Sequence, residues 1–101
     1  MNYDNELILL KKSFIMDSIG NQIENITETK ILCKVKSVSG NEFYKASQSN
    51  LKPEKIFIIH SFEYDDETEV IFCDKNYSVI RSYVISSDEI ELVCERKVKN
   101  V

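Results

Sequence analysis

The chain has 101 residues, 43% of them hydrophobic and 30% charged, with a formal net charge of −4. One core fits in that length and a second does not, so residues 1–101 are expected to form a single domain, and the composition is that of a globular chain rather than a disordered one. An acidic balance argues against a free-standing nucleic-acid binder, which needs a basic footprint, though not against a wall past which DNA slides.

No run approaches the ~20 apolar residues that a membrane-spanning helix needs. The first residues, Met1 to Glu6, are acidic where a signal peptide would be basic, so the protein is expected to be made and kept in the cytoplasm. Glu6 to Ser18 reads as a strand: Leu7 to Leu10 is apolar on both faces, and Lys11-Lys12 interrupts the run before Phe14-Ile15-Met16. Gly20-Asn21 is a two-residue hairpin signal, because both residue types tolerate positive φ. A long second strand follows from Gln22 to Val38, in which Ile31, Cys33 and Val35 alternate with Lys30, Lys34 and Lys36, while Asn25, Thr27 and Thr29 mark its first half as more exposed.

Ser39-Gly40-Asn41-Glu42 has the spacing of a capping box, so a short helix is predicted from about Gly40 to Gln48. Pro53 lacks an amide donor and closes this polar segment. A third strand is predicted from Glu54 to Tyr64, with Ile56, Ile58 and Phe62 on one face and Phe57 and Ile59 on the other. Apolar residues on both faces imply burial against two layers or against a neighbour. Asp65 to Thr68 turns the chain into a short fourth strand, Glu69 to Cys73. Asp74-Lys75-Asn76 turns it again into a fifth, where Tyr77, Val79, Arg81 and Tyr83 alternate with Ser78, Ile80 and Ser82. After Ser86-Ser87-Asp88, a sixth strand sets Ile90, Leu92 and Cys94 against Glu89, Glu91 and Glu95, the cleanest period-2 signal in the chain. The expected fold is all-β: a small antiparallel six-stranded barrel or sandwich with one long inserted loop that carries a short helix.

Chemistry-bearing residues are sparse. Cys33, Cys73 and Cys94 are widely spaced, form no C-x-x-C pair and fall within strand-like runs, which reads as buried thiols rather than a zinc site. Glu63, Asp65, Asp66, Glu67 and Glu69 form an acidic cluster without the glycine and alternating ligands of a calcium loop, so a solvated hairpin tip is expected. His60 has no base or nucleophile in register, since the adjacent Ser61 faces the other way in a strand. Tyr44, Tyr64, Tyr77 and Tyr83 with Arg81 have the makings of a stacking platform for single-stranded nucleic acid, set against the plainer reading of core or interface aromatics. No catalytic residue, metal site or cofactor is expected. The segment from Ser39 to Pro53 is different: a free loop has no need of Phe43, Tyr44, Ala46 and Leu51, so it is expected to dock either onto its own subunit or, by preference, onto a neighbouring subunit or the portal.

Several short patterns in fixed order resemble the head-tail joining, or head closure, proteins of long-tailed bacteriophages. They are Asp17-Ser18-Ile19-Gly20-Asn21, the Ser39 to Gln48 segment, Phe62-Glu63-Tyr64, Tyr77-Ser78-Val79-Ile80-Arg81, and the closing strand Glu89 to Glu95. Family members commonly carry Gly where this chain has Ser47. The resemblance spans about Leu7 to Lys97. It implies a non-enzymatic virion protein that closes the DNA-filled head beneath the portal and offers a surface to the tail. Implied partners are the portal or a portal adaptor, the next neck or tail-completion protein, passing double-stranded DNA held without sequence specificity, and a ring of roughly twelve identical subunits. The implied location is the host cytoplasm during assembly and then the neck of the virion. The long loop becomes the partner-binding element, with Glu42, Phe43, Tyr44, Ala46, Gln48, Leu51 and Pro53 as its residues, mobile until assembly orders it. A small β-barrel that binds nucleic acid is the alternative. With no strongly apolar strand expected outside the core, a monomer or weak oligomer is expected in isolation.

Overall fold

A computed structural model describes residues 2–97. Its elements are β1 (Asn5–Met16), β2 (Gln22–Lys36), α1 (Gly40–Ser47), β3 (Pro53–His60), a 3₁₀ turn at Ser61–Glu63, β4 (Glu69–Phe72), β5 (Lys75–Val84) and β6 (Glu89–Arg96). The six strands close an antiparallel barrel in the order β1-β2-β3-β6-β5-β4. Closure removes most sheet edges, the standing hazard of a small β-protein.

The interior is built by alternation. Leu7 and Leu9, Ile31 and Cys33, Phe57 and Ile59, Val70, Tyr77, and Ile90, Leu92 and Cys94 meet in one core cluster. Phe57 is its centre, 5.0 Å from the ring of Phe72 and edge-on to Tyr77 at 5.7 Å. The expected inward face of the sixth strand is therefore observed, with Glu89, Glu91 and Glu95 turned outward and half-buried.

Ile56 and Ile58 lie on the outer face of β3 and are nonetheless buried. Two things cover them. Val93, the register partner of Ile56, is buried on the same face, and α1 packs on β3. Ion pairs Lys34–Glu89 (2.8 Å) and Lys36–Glu91 (3.1 Å) join β2 to β6 across β3, laying lysine stems over its outer surface. So a second layer does cover this strand, and the subunit supplies it itself.

The structure corrects several local expectations. The first hairpin turns through three residues rather than two. Gly20 donates to the Asp17 carbonyl at 3.2 Å and has φ +87°, a conformation suited to glycine, while Asp17 Oδ1 accepts from the N–H groups of Ile19 and Asn21. β3 ends at His60, and Phe62, expected on its apolar face, sits in the 3₁₀ turn and is 82% exposed. The β4–β5 turn is made by Cys73 and Asp74, both at positive φ (50° and 63°), so Cys73 is an exposed turn residue and not part of a strand. In β5 the alternation slips between Val79 and Arg81, a bulge that puts Arg81 outside opposite Val93 and turns Ser82 toward Leu92.

The largest departure is the length of the first hairpin outside the barrel. β1 pairs with β4 only at Ile8–Leu10, and β2 pairs with β3 only at Lys34–Lys36. Beyond those points the two strands pair only with each other, as a two-stranded arm. Phe14, Ile15, Met16, Ile19, Ile23 and Ile26 all stand at least half exposed on it. The expectation that no apolar strand lies outside the core is therefore overturned. The arm gives the molecule its long axis of 51 Å against 31 and 24 Å.

Candidate docking surfaces

Antiparallel closure sorts the surface into two ends. β1, β3 and β5 all finish at the end from which the arm projects. There Phe62 follows β3, and Tyr83, Val84 and Ile85 close β5, all exposed. The segment carrying α1 joins β2 to β3 at the opposite end.

α1 exists because its first turn is capped. The Ser39 hydroxyl accepts the Glu42 N–H at 3.1 Å, half of the expected capping box. The Glu42 carboxylate does not reach back. It lies 3.9 Å from the Arg81 guanidinium on β5, an ion pair too long to be a hydrogen bond, so one buried oxygen of Glu42 has no hydrogen-bond donor. The helix closes through Asn50 at φ 61°, with the Leu51 N–H returning to the Ala46 carbonyl at 3.0 Å.

This sorts the expected partner-binding residues into two sets. Ala46 and Pro53 are buried, and Glu42 and Leu51 are half-buried, all within their own subunit. For Ala46 and Leu51 the docking partner is thus their own subunit, and not a neighbour. Phe43 (47% exposed) and Tyr44 (67% exposed) face outward, as does Gln48. Phe43 also lines an open cleft with Val35, Val38 and Pro53.

The amino-terminal segment makes a second cluster. The Tyr3 ring stacks on His60 at 4.2 Å, Lys34 lies over that ring at 4.6 Å, and the Tyr3 hydroxyl donates to Glu89, which also takes the Lys34 ammonium. Burial, then the bond to Glu89, pushes the Tyr3 phenol up to about 12. Lys34 and then Tyr3 hold the Glu89 carboxyl below its ordinary value; Lys97 and then Lys12 do the same to Glu69, which they approach at 2.7 and 2.9 Å. Depressed carboxylates stabilise the fold fully above their unfolded-state pKa and lose that contribution as pH falls through the folded value. The thermal midpoint should therefore drop as the pH falls below the ordinary glutamate value and through the lowered folded-state values of these two groups. Glu69→Gln and Glu89→Gln should each flatten that slope in a calorimetric pH series, and an unchanged slope would remove these pairs as its cause.

Other constellations come apart in three dimensions. Tyr77 is in the core, and Tyr64 is half-buried with its hydroxyl on the Glu67 carbonyl at 2.8 Å. Of the four tyrosines Tyr44 and Tyr83 are the exposed pair, and Tyr83 is held by Arg81 at 2.8 Å. The acidic cluster is not a solvated tip throughout: Glu67 is buried and accepts the Asp65 N–H at 2.6 Å, and Glu69 is bound to two lysines. No group of three or more potential metal ligands forms among the described residues. Ser61 donates its hydroxyl to the Ser87 carbonyl at 3.0 Å rather than to His60.

Burial pushes the Cys33 and Cys94 thiols up to about 12, while Cys73 is exposed, against the expectation of three buried thiols. A thiol reagent should thus modify Cys73 alone in the native protein and all three cysteines after denaturation. Fast labelling of Cys94 without denaturant would contradict the sealed core.

Asn25, Thr27 and Thr29 are exposed, as expected for the first half of the second strand, but the apolar side chains of the arm were not expected as a surface. The signal for it was faint: Phe14-Ile15-Met16 is apolar on both faces beyond the Lys11-Lys12 break, with nothing in the chain to say which strand would cover it. Compared with known proteins, the chain matches no family model and no curated relative.

Proposed function

We propose that this chain is a structural assembly protein that works by docking, and that its setting is the neck of a long-tailed phage, where a ring of subunits closes the filled head beneath the portal and receives the tail. One observation carries the docking reading: a sealed core coexists with exposed apolar side chains gathered on a projecting arm and at the barrel end beside it. Large exposed apolar surfaces on soluble domains mark contact sites. Exposed Phe43 and Tyr44 on α1 offer a second contact at the opposite end, as an adaptor between two neighbours needs. A substrate pocket has less support. One open groove of about 660 Å³ is lined by Lys52, Glu54, Asp74, Lys75, Glu95 and Arg96, charges of both signs with no apolar side chain among them.

The phage setting rests on the order of the sequence patterns and is tested on particles. Virions or induced prophage particles from the host that encodes this chain should contain it, and antibody labelling should place it at the single vertex between head and tail. Its absence from finished particles would overturn the setting. Its presence along the tail or over the capsid would move the docking function elsewhere.

A further inference from the structure

We propose that the arm is a self-association element: two copies of this chain pair antiparallel along the open edges of their β2 strands, centred on Thr27. The edge is available because β2 meets β3 only from Lys34 to Lys36. Its polarity follows from the hairpin. Asp17 donates its N–H to the Asn21 carbonyl at 2.9 Å, and the β1–β2 register runs without a slip from that couple. Hydrogen-bonded and non-bonded couples alternate in an antiparallel pair. Odd-numbered residues of β2 therefore bond to β1, and Glu24, Ile26, Glu28 and Lys30 turn their N–H and C=O groups to the open side.

A second copy is the occupant whose charges fit. In a two-fold antiparallel pair, opposed side chains must lie on the same face. With Thr27 at the centre, Glu24 of each copy opposes Lys30 of the other, Ile23 opposes Ile31, and the two Thr27 side chains meet. Neighbouring registers fail. Centring on Ile26 sets Glu24 against Glu28, centring on Glu28 sets that residue against itself, and centring on Thr29 requires Lys34, whose edge is taken by Ile58. The couples of the Thr27 register run from Ile23 to Ile31 of each copy and stop short of Lys34 to Lys36, which β3 occupies. A lone two-stranded ribbon is marginal in water, whereas the pair makes a four-stranded sheet.

Sedimentation equilibrium of the isolated full chain tests this independently of any phage role. Wild type should show a monomer–dimer equilibrium with a micromolar Kd. Glu24→Lys and Lys30→Glu should each raise that Kd roughly tenfold or more, because each turns two attractive cross-strand couples repulsive. The double swap E24K/K30E restores both couples and should return the Kd to within about threefold of wild type. Both positions are exposed, and circular dichroism of the double variant checks folding. A wild type that stays monomeric up to about 0.2 mM, a ring in place of a dimer, single variants without effect, or a double swap as weak as the singles would each overturn the proposal.

Discussion

Leu92→Ala should lower the unfolding free energy by about 2–5 kcal/mol, the range for truncating a fully buried leucine. Leu92 is 0% exposed, sits opposite Phe57 on β3 and Ser82 on β5, and belongs to the cluster that every strand of the barrel enters. Its neighbours are parts of a closed barrel and cannot collapse into the space without disturbing strand pairing. A domain of this size holds only about 5–15 kcal/mol in all, so the variant should unfold at markedly lower denaturant. Glu91→Ala, one residue away on the outer face, removes a single solvent-accessible pair with Lys36 (3.1 Å) and should cost less than about 1 kcal/mol. The contrast between adjacent residues is the measurement. A loss below about 0.5 kcal/mol for Leu92→Ala in urea titration would mean that β6 is out by one residue, with its faces exchanged.

That contrast was legible in the sequence because β6 alternates cleanly and is flanked by strands along its whole length. Alternation reports which face a side chain takes, but not what lies over that face. Ile56 and Phe57 look alike in the chain. One is covered by the central core and the other by a helix and lysine stems, and only the tertiary structure tells them apart. The arm was illegible for the same reason. Leu9 and Ile15 share a face of one strand, but β4 ends its pairing at Leu10, so the first is buried and the second is half exposed. Where a neighbouring strand stops is decided by the turn residues of another part of the chain. Cys73 illustrates the local limit: its apolar run predicts strand, but a two-residue turn with both residues at positive φ claimed it instead. The helix was readable to within a residue at its end because Ser39 caps it by a short-range bond. That Glu42 would leave the cap for Arg81 was not, since that partner is 39 residues away in the chain.

Under the proposed neck function, replacing Phe43 and Tyr44 together by Ser should leave the barrel folded and stop head-tail joining. Both side chains stand about half exposed or more on α1, and the helix is anchored by other groups: the Ser39 cap, buried Ala46 and the Leu51 return bond. Half-burial of one phenylalanine is worth roughly 1 kcal/mol, so the thermal midpoint should fall by only a few degrees. Docking responds differently. Exposed aromatics at the centre of a contact commonly carry about 2 kcal/mol or more each, and the proposed ring would repeat the loss in every subunit. DNA-filled heads that leak, together with free tails, should accumulate in place of joined particles. The matched variant on the arm, Phe14 and Met16 both to Ser, separates the two ends of the molecule. If the helix variant builds infectious particles at normal yield while the arm variant does not, docking belongs to the arm, and α1 serves only to pack on β3 of its own barrel.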